Sequence, residues 1–521
     1  MLARTKSSAL LGVHALPIEV EAELRLGLPY FDLLGLSDQH ARARVQAAIK
    51  NSGFELPQKK ITVNLAPAGL RKDGASFDLP IALAILSAAN LLPPAPEDVL
   101  FVGELGLDGR LRSIRGALPL AVSARDAGLR AIVVPRANAA EAAVVSDIEV
   151  LAVETLAEAA AFVSGEASPE PVRVAVDALF AQPHDSAHDL SDVQGQVHAK
   201  RALEIAAAGG HNILFIGPPG SGKTMLARRL STLLPRLSFD EALETSTVYS
   251  VAGLLGERPL ITERPFRAPH HTISDAGMIG GGSHPRPGEI SLAHNGVLFL
   301  DELPEFKKHV IEALRQPLED RHIHIARASG MLAYPAGFML VAAMNPCPCG
   351  YATHPRRACV CGPGETQRYR ARISGPLLDR IDLHVDVPAV PFEELSRSRT
   401  SETSATVRER VLRAREVQSE RFAGLRIHCN AQMGTKLMRR HCVLSPPAED
   451  LLRQVIDRFA MSARALDRIL RVARTISDLD GEPQPSAGAV AEAIQYRALD
   501  RATSAGARPP TQHLTGGAQT P

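Results

Sequence analysis

Gly217-Pro218-Pro219-Gly220-Ser221-Gly222-Lys223-Thr224 decides how the rest of this chain is read. The stretch follows the apolar run Asn212-Ile213-Leu214-Phe215-Ile216, which has the composition of a buried strand. It precedes Met225-Leu226-Ala227-Arg228-Arg229-Leu230, which opens a helix. Strand, glycine-rich loop and Gly-Lys-Thr at a helix start make up the context of a phosphate-binding loop. The glycines let successive amides curl around an anion with no Cβ in the way, and the new helix turns its positive end to the same point. In such a loop Lys223 reaches the β- and γ-phosphates of ATP, and Thr224 offers its hydroxyl to Mg²⁺.

Working outward, Asn295-Gly296-Val297-Leu298-Phe299-Leu300-Asp301-Glu302 reads as a buried strand ending in two carboxylates. Downstream of a phosphate-binding loop, Asp301 would complete the Mg²⁺ shell and Glu302 would polarise the attacking water. Phe338 to Met344 is a further buried strand. Asn345 at its end is placed to orient that water, or alternatively closes a turn. Thr245 to Gly296 reads as a long insertion rich in Gly, Pro and His. It contains Arg267-Ala268-Pro269-His270-His271, whose two histidines are expected to cap or pack rather than chelate. It also contains Arg286, a candidate DNA contact. His322 to Arg327 alternates strictly and returns through Met331 to Tyr334, which predicts a hairpin carrying Arg327 as a second such candidate.

Cys347-Pro348-Cys349 and Cys359-Val360-Cys361 flank nine residues. Two pairs so spaced can give four thiolates to a tetrahedral Zn²⁺, with reduced, unliganded thiols as the alternative. Arg356 and Arg357 lie between the pairs, and Arg368, Arg370 and Arg372 lie beyond them. This cluster reads either as a solvated basic face or as a phosphate-contacting patch. Within Leu377-Leu378-Asp379-Arg380-Ile381-Asp382-Leu383, Arg380 is the candidate arginine finger, and a salt bridge inside its own domain is the alternative. Ser401 to Phe422 predicts a charged, solvent-facing helix. Ser462 to Ile476 predicts an amphipathic helix with Arg464 at its start, where it could touch the γ-phosphate, and with later arginines at a surface or interface. Cys429 and Cys442 are expected to be packing residues.

The chain has 521 residues, enough for about three domains. Its 45% hydrophobic and 22% charged residues are ordinary for a soluble globular protein. A formal net charge of +1 leaves no global basic field, so any nucleic-acid binding must come from local patches. Met1-Leu2-Ala3-Arg4-Thr5-Lys6 does not open a signal peptide, and the most apolar run, Leu79 to Pro94, is too short to span a bilayer. A cytoplasmic protein with no membrane partner is expected. Residues 1–165 predict an α/β domain, with strands at Lys59 to Leu65, Val99 to Leu105 and Ala131 to Pro135 and a helix at Leu79 to Leu92. An Asp-Gly hairpin is predicted within Gly103 to Leu111. Residues 166–189 read as a linker, and 501–521 as a disordered tail.

The stretch Lys72-Asp73-Gly74-Ala75-Ser76-Phe77-Asp78-Leu79-Pro80 and the Gly103 to Leu111 hairpin resemble the Lon-protease-type domain, in which an equivalent Asp-Gly-x-Ser carries the nucleophile. That family places a catalytic Lys shortly after the hairpin. Here Ile114 to Leu120 holds none, so Ser76 is expected to be a helix N-cap instead. Taken with the phosphate-binding loop, Pro269-His270-His271, Asp301-Glu302-Leu303, Asn345-Pro346-Cys347-Pro348-Cys349-Gly350, Leu377 to Leu383 and Ser462 to Thr475, the chain resembles the ComM/YifB family of magnesium-chelatase-like AAA+ ATPases. The resemblance implies a multidomain α/β fold. Residues 1–165 would be a Lon-like domain of the ribosomal S5 domain 2 type. Residues 190–395 would be a AAA+ core of the helix-2-insert clade, with the insertion before Asp301 and a pre-sensor hairpin at His322 to Tyr334. Residues 396–500 would be a helical lid. It further implies a hexameric ring and helicase or branch-migration activity on single-stranded, duplex or branched DNA during integration of transforming DNA, with recombination proteins as partners. A chelatase-type motor working through a partner protein is the alternative, and a Lon-like protease is a third reading that the missing lysine disfavours.

Overall fold

The computed structural model describes residues 1–38, 40–70, 72, 74–181, 188–282, 286–327, 330–390, 401–459, 461–497 and 499, the side chains of 326, 327, 330 and 459 excepted. The expected tail, 501–521, lies outside the described residues, as does the expected junction at 395 and 396. In the first domain a period-2 pattern sets the strands. Ile18, Val20, Ala22 and Leu24 face the core in β2 (His14–Arg25), which pairs antiparallel with β1 (Leu2–Leu11). The sheet is completed by β3 (Tyr30–Leu34), β4 (Lys60–Ala66), β5 (Val99–Phe101), β8 (Ala131–Pro135) and β9 (Glu149–Val153), in the order β3-β4-β2-β1-β5-β8-β9. The short β6 (Glu104–Leu105) and β7 (Leu111–Arg112) form the expected hairpin, with Gly109 at φ +81° in its turn.

Asp78–Ala88 is a helix buried along its whole length. Ser76 does not cap it. The residue lies in a 3₁₀ turn, Ala75–Phe77, and among the described residues the helix start has no side-chain cap. The turn is held by the backbone instead, through the Gly103 amide on the Ser76 carbonyl at 2.8 Å and the Leu79 amide on the Gly103 carbonyl at 3.0 Å. Lys72 donates to the carbonyls of Leu65 and Pro67, so the lysine nearest Ser76 in sequence is committed elsewhere.

The segment read as a linker is partly ordered. The Val172 amide donates to Val150 at 2.9 Å, a helix spans Val176–Ala181, and Val172, Val174, Leu179 and Phe180 pack on the core. The valines are a half-buried pattern hidden in a Pro- and Ser-rich composition.

The second sheet is parallel throughout, and its strands are near-continuous apolar runs because both faces are covered. It consists of β10 (Ile213–Ile216), β11 (Phe266–Arg267), β14 (Val297–Leu300), β17 (Met339–Met344) and β18 (Leu383–Asp386), in the order β11-β14-β17-β10-β18. Two hairpins stand apart from it, β12 (Gly280–Gly281) with β13 (Arg286–Pro287) and β15 (His322–Arg327) with β16 (Gly330–Pro335). The insertion begins later than expected. Helix Phe239–Ala252, capped by Ser238, runs through Thr245, and β11 adds an edge strand inside the supposed loop.

The C-terminal helices Ser404–Arg421, Pro446–Phe459, Ala463–Leu479 and Ala487–Gln495 share one core with this sheet, while Thr435–His441 packs Met438 into a small separate cluster with Phe422, Met433 and Cys442. Ser404–Arg421 is not solvent-facing all round, because Val407, Val411, Ala414 and Gln418 form a buried stripe at helical spacing. Arg474, expected at a surface or interface, is buried against Asp478 at 2.6 Å, with Arg421 on the same carboxylate. The first domain docks on helix Phe239–Ala252: the Gly116 amide donates to the Ser250 carbonyl at 3.1 Å, and the Ser250 hydroxyl donates to the buried Glu141.

Candidate nucleotide site

Parallel register delivers three separate sequence motifs to one point. Ile216 pairs with Met344 and Leu300 with Ala342, so Gly217, Asp301 and Asn345 leave adjacent strands on the same edge. Gly217 cannot carry a side chain, since a Cβ there would lie 2.1 Å from the Val387 carbonyl oxygen. Gly220 and Gly222, at φ +76° and +91°, adopt the left-handed conformation that the turns of this loop require. Ser221 is buried between them, and its hydroxyl is unpartnered among the described residues.

Lys223 is buried. Its ammonium donates to the carbonyls of Gly217 and Pro218 at 2.8 and 2.9 Å and to Asn345 Oδ1 at 3.3 Å. Burial pushes its pKa down, and Asp301 and Glu302 oppose that shift. The Thr224 hydroxyl donates to Asp301 Oδ2 at 2.7 Å. Two hard oxygen donors in contact at an exposed position fit Mg²⁺, which prefers carboxylate and hydroxyl oxygen and keeps water in its shell. Glu302 follows at φ +52°, a strained conformation for a non-glycine residue, with its carboxylate largely exposed. His271 Nδ1 lies 3.7 Å from Glu302 Oε2. The Pro-His-His motif thus supplies a neighbour to the acid at the strand end, which the expectation of a packing role missed. His270 bonds locally to Thr272 Oγ1 at 2.9 Å.

In this single chain the Arg380 guanidinium is buried, donating to Glu319 and to the Pro376 carbonyl, which is the pairing inside its own domain held as the alternative to a finger. Arg464 is exposed in the first turn of its helix, and among the described residues it makes no hydrogen bond or ion pair with the phosphate-binding loop. Its neighbour Arg468 is the one that reaches the sheet, bonding Asp382 at 2.9 Å. Burial alone would raise the Asp382 carboxyl, but Arg468 and His211 hold it below the usual range. Arg286 is exposed on β13. Arg327 lies on β15, and its side chain is outside the described residues. Arg356 and Arg357 are exposed, and Arg357 donates to the Tyr351 hydroxyl at 2.7 Å and stacks over its ring.

The four cysteines converge, with all their sulfurs within 4.8 Å of one another. Cys347–Cys349, Cys347–Cys359 and Cys349–Cys359 sulfurs are 3.4, 3.6 and 3.6 Å apart. A tetrahedral Zn²⁺ with Zn–S bonds of about 2.3 Å sets neighbouring sulfurs about 3.8 Å apart, so the donor set fits that ion. The amides of Tyr351 and Val360 hold the Cys349 thiol down to about 6, while burial and the neighbouring thiols push Cys359 and Cys361 up, as crowding several thiols without a cation does. Cys429 and Cys442 are buried and stand apart from this cluster.

Comparison with known proteins gives three matches along the chain. Residues 189–395 match the magnesium chelatase subunit ChlI model, residues 20–138 the model for subunit ChlI of Mg-chelatase, and residues 401–497 its C-terminal model. The chain is 45% identical over 508 residues to competence protein ComM of Haemophilus influenzae, covering 96% of this chain and 98% of that protein. It is 46% identical over 507 residues to the uncharacterized protein YifB of Salmonella typhimurium, again covering 96% and 98%. A segment of 153 residues, 27% of this chain, is 30% identical to Lon protease 2 of Bacillus subtilis and covers 26% of it. Among the described residues no helix is long and apolar enough to cross a membrane.

Proposed function

This chain belongs to the ComM/YifB family of magnesium-chelatase-like AAA+ proteins, and we propose that it is an ATP-hydrolysing motor that assembles as a hexameric ring and acts on DNA as a helicase or branch-migration engine. The observation that carries the ATPase reading is the meeting of Thr224 with Asp301 and of Lys223 with Asn345 at one sheet edge. Lys223 would exchange its loop carbonyls for phosphate oxygens. Thr224 and Asp301 would hold Mg²⁺, which neutralises charge on the β- and γ-phosphates. Glu302 accepts a proton from water as the water oxygen bonds to the γ-phosphorus and the bond to ADP breaks, and Asn345 orients that water. Arg380 of a neighbouring subunit would leave Glu319 to meet the γ-phosphate, and Arg464 would approach it from the C-terminal helices acting as a lid. The insertion after Ala252 and the β15–β16 hairpin would be the helix-2 insert and the pre-sensor hairpin, carrying Arg286 and Arg327 towards DNA. Zn²⁺ held by Cys347, Cys349, Cys359 and Cys361 would be structural, with Arg356 and Arg357 on its outer face as phosphate contacts.

The relative named a competence protein supports a role in handling transforming DNA. A second reading, a chelatase-type motor working through a partner protein, is favoured by the three chelatase-subunit matches. ATPase rates with single-stranded, duplex and branched DNA separate the two. Stimulation by DNA that fades with rising salt is expected, since backbone contacts release counterions. A ring that neither binds DNA nor changes its ATPase rate with DNA would overturn the DNA reading in favour of the partner-driven one.

A further inference from the structure

The four-cysteine knuckle is built onto the nucleotide site rather than beside it. Cys347 is two residues beyond Asn345, the residue that bonds Lys223. Gly350, closing the first Cys pair with its amide on the Cys347 carbonyl at 3.0 Å, lies flat against Pro219 of the phosphate-binding loop. A Cβ on Gly350 would come within 2.7 Å of the Pro219 ring and 3.8 Å of the Asn345 side chain, at a φ of +84° that already requires glycine. The chain leaving Cys361 returns to the same place. Helix Pro363–Arg370 sends Arg370 to the Pro346 carbonyl at 3.4 Å, and Arg372, just past it, donates to Pro304 and Glu305 at 3.2 and 2.9 Å, in the turn that follows Glu302. One small knuckle therefore touches the loop that binds phosphate, the Asn that orients water and the turn that aims the general base.

We infer that a zinc ion bound by Cys347, Cys349, Cys359 and Cys361 sets the spacing of Pro219, Asn345 and Glu302, so that ATP turnover depends on zinc occupancy. The inference rests on the zinc reading of the cysteines given above. A knuckle this short, with no hydrophobic core of its own, needs the metal to hold its two halves together. Without it the Gly350–Pro219 contact and the Arg372 anchor lose their common support, although none of these residues ligates the metal.

The test uses the full chain. Zinc is quantified by release with an organomercurial into a colorimetric chelator. The metal is then stripped, Mg²⁺ is restored, and kcat, KM and the affinity for a fluorescent ATP analogue are measured before and after adding Zn²⁺ alone. About one zinc per chain is expected, with kcat falling at least tenfold on stripping and returning with Zn²⁺ but not with further Mg²⁺. Gly350→Ala, which leaves all four thiols in place, should keep its zinc and lose turnover by a similar factor. Because this variant retains the metal, it tests the coupling even where a chain that has lost a ligand, such as Cys361→Ser, fails to fold. A chain that binds zinc, yet hydrolyses ATP equally fast when stripped and when carrying Gly350→Ala, overturns the coupling and leaves the zinc reading standing. A chain that takes up no zinc overturns both.

Discussion

Arg380 offers the sharpest perturbation, because its two roles differ by orders of magnitude. In the isolated chain its guanidinium is 8% exposed and its partner Glu319 is 53% exposed. An ion pair open to water on one side contributes about 0–1 kcal/mol, and freeing the Pro376 carbonyl adds about 1 kcal/mol. Arg380→Ala should therefore cost about 1–2 kcal/mol of stability, readable as a modest shift in the urea midpoint. If the same residue serves a neighbouring subunit's γ-phosphate, its removal should lower kcat by about 10³–10⁵, equivalent to about 4–7 kcal/mol in the transition state, with ATP affinity nearly unchanged. Glu319→Gln separates the two roles: it loosens the pair, shifts the midpoint by a similar amount, and leaves turnover intact or raised because Arg380 is released. Mixed rings complete the assay. A subunit carrying Arg380→Ala keeps its own Glu302, and one carrying Glu302→Gln keeps its Arg380, so mixing the two inactive chains should recover turnover at the seams where each supplies what the other lacks. If Arg380→Ala hydrolyses ATP at the wild-type rate and only the urea midpoint moves, the arginine is a structural pair and the finger assignment fails.

Glu302→Gln should bind ATP with unchanged affinity and lose about 10²–10⁴ in kcat by steady-state assay; equal turnover would remove it as the base. Replacing Arg356 and Arg357 together with Ala should weaken DNA binding across all sequences. It should also flatten the salt dependence by about one unit for each phosphate that is no longer neutralised, seen by fluorescence anisotropy at graded salt. Ser76→Ala should change neither ATPase nor any peptidase signal, since Lys72 is committed to the carbonyls of Leu65 and Pro67. Burial, reinforced by Arg497, pushes the His384 pKa down to about 3. Unfolded, it would titrate near 6.5, so between those values the unfolded state holds the extra proton. Acidification below about pH 6.5 therefore destabilises the fold by up to about 1.4 kcal/mol per pH unit, and His384→Leu should flatten that part of the curve in urea unfolding at several pH values.

Where a motif's geometry is local or set by strand register, sequence reading reached the structure. The phosphate-binding loop, the buried strands before Asp301 and Asn345, both hairpins and the cysteine pairs all stand where residue pattern put them. Several misses share a cause: what a residue meets in the fold depends on elements distant in the chain. Glu302 and His271 are 31 positions apart, and only the pairing of β11 with β14 makes them neighbours. The Pro- and Ser-rich stretch before Asp189 reads as a linker because its valines have a surface to cover only once β9 and its neighbours exist.

The same dependence on distant partners sorts the arginines. Arg380, Arg464, Arg468 and Arg474 look alike in sequence, each near the end of an apolar run or on an amphipathic helix. Their surroundings in the fold separate them. Arg474 is enclosed with Asp478 in the C-terminal helices, and Arg468 crosses to Asp382 beneath the strand that carries the phosphate-binding loop. Asp382 also takes the Asn212 amide at 3.1 Å and faces His211, whose other nitrogen bonds Thr475 at 2.8 Å. A rotation of helix Ala463–Leu479 thus pulls on the root of β10 through two buried contacts, while Arg464 at its tip remains exposed. On the proposed function, Arg464, exposed at the helix tip, would meet nucleotide, and Arg468, half-buried and paired with Asp382, would pass the response to the sheet. Arg468→Lys, which keeps the charge but loses the guanidinium's reach to Asp382, should leave ATP affinity near normal while weakening the rate increase that DNA brings. An Arg468→Lys ring stimulated by DNA as fully as the wild type would show that the signal does not pass through Asp382.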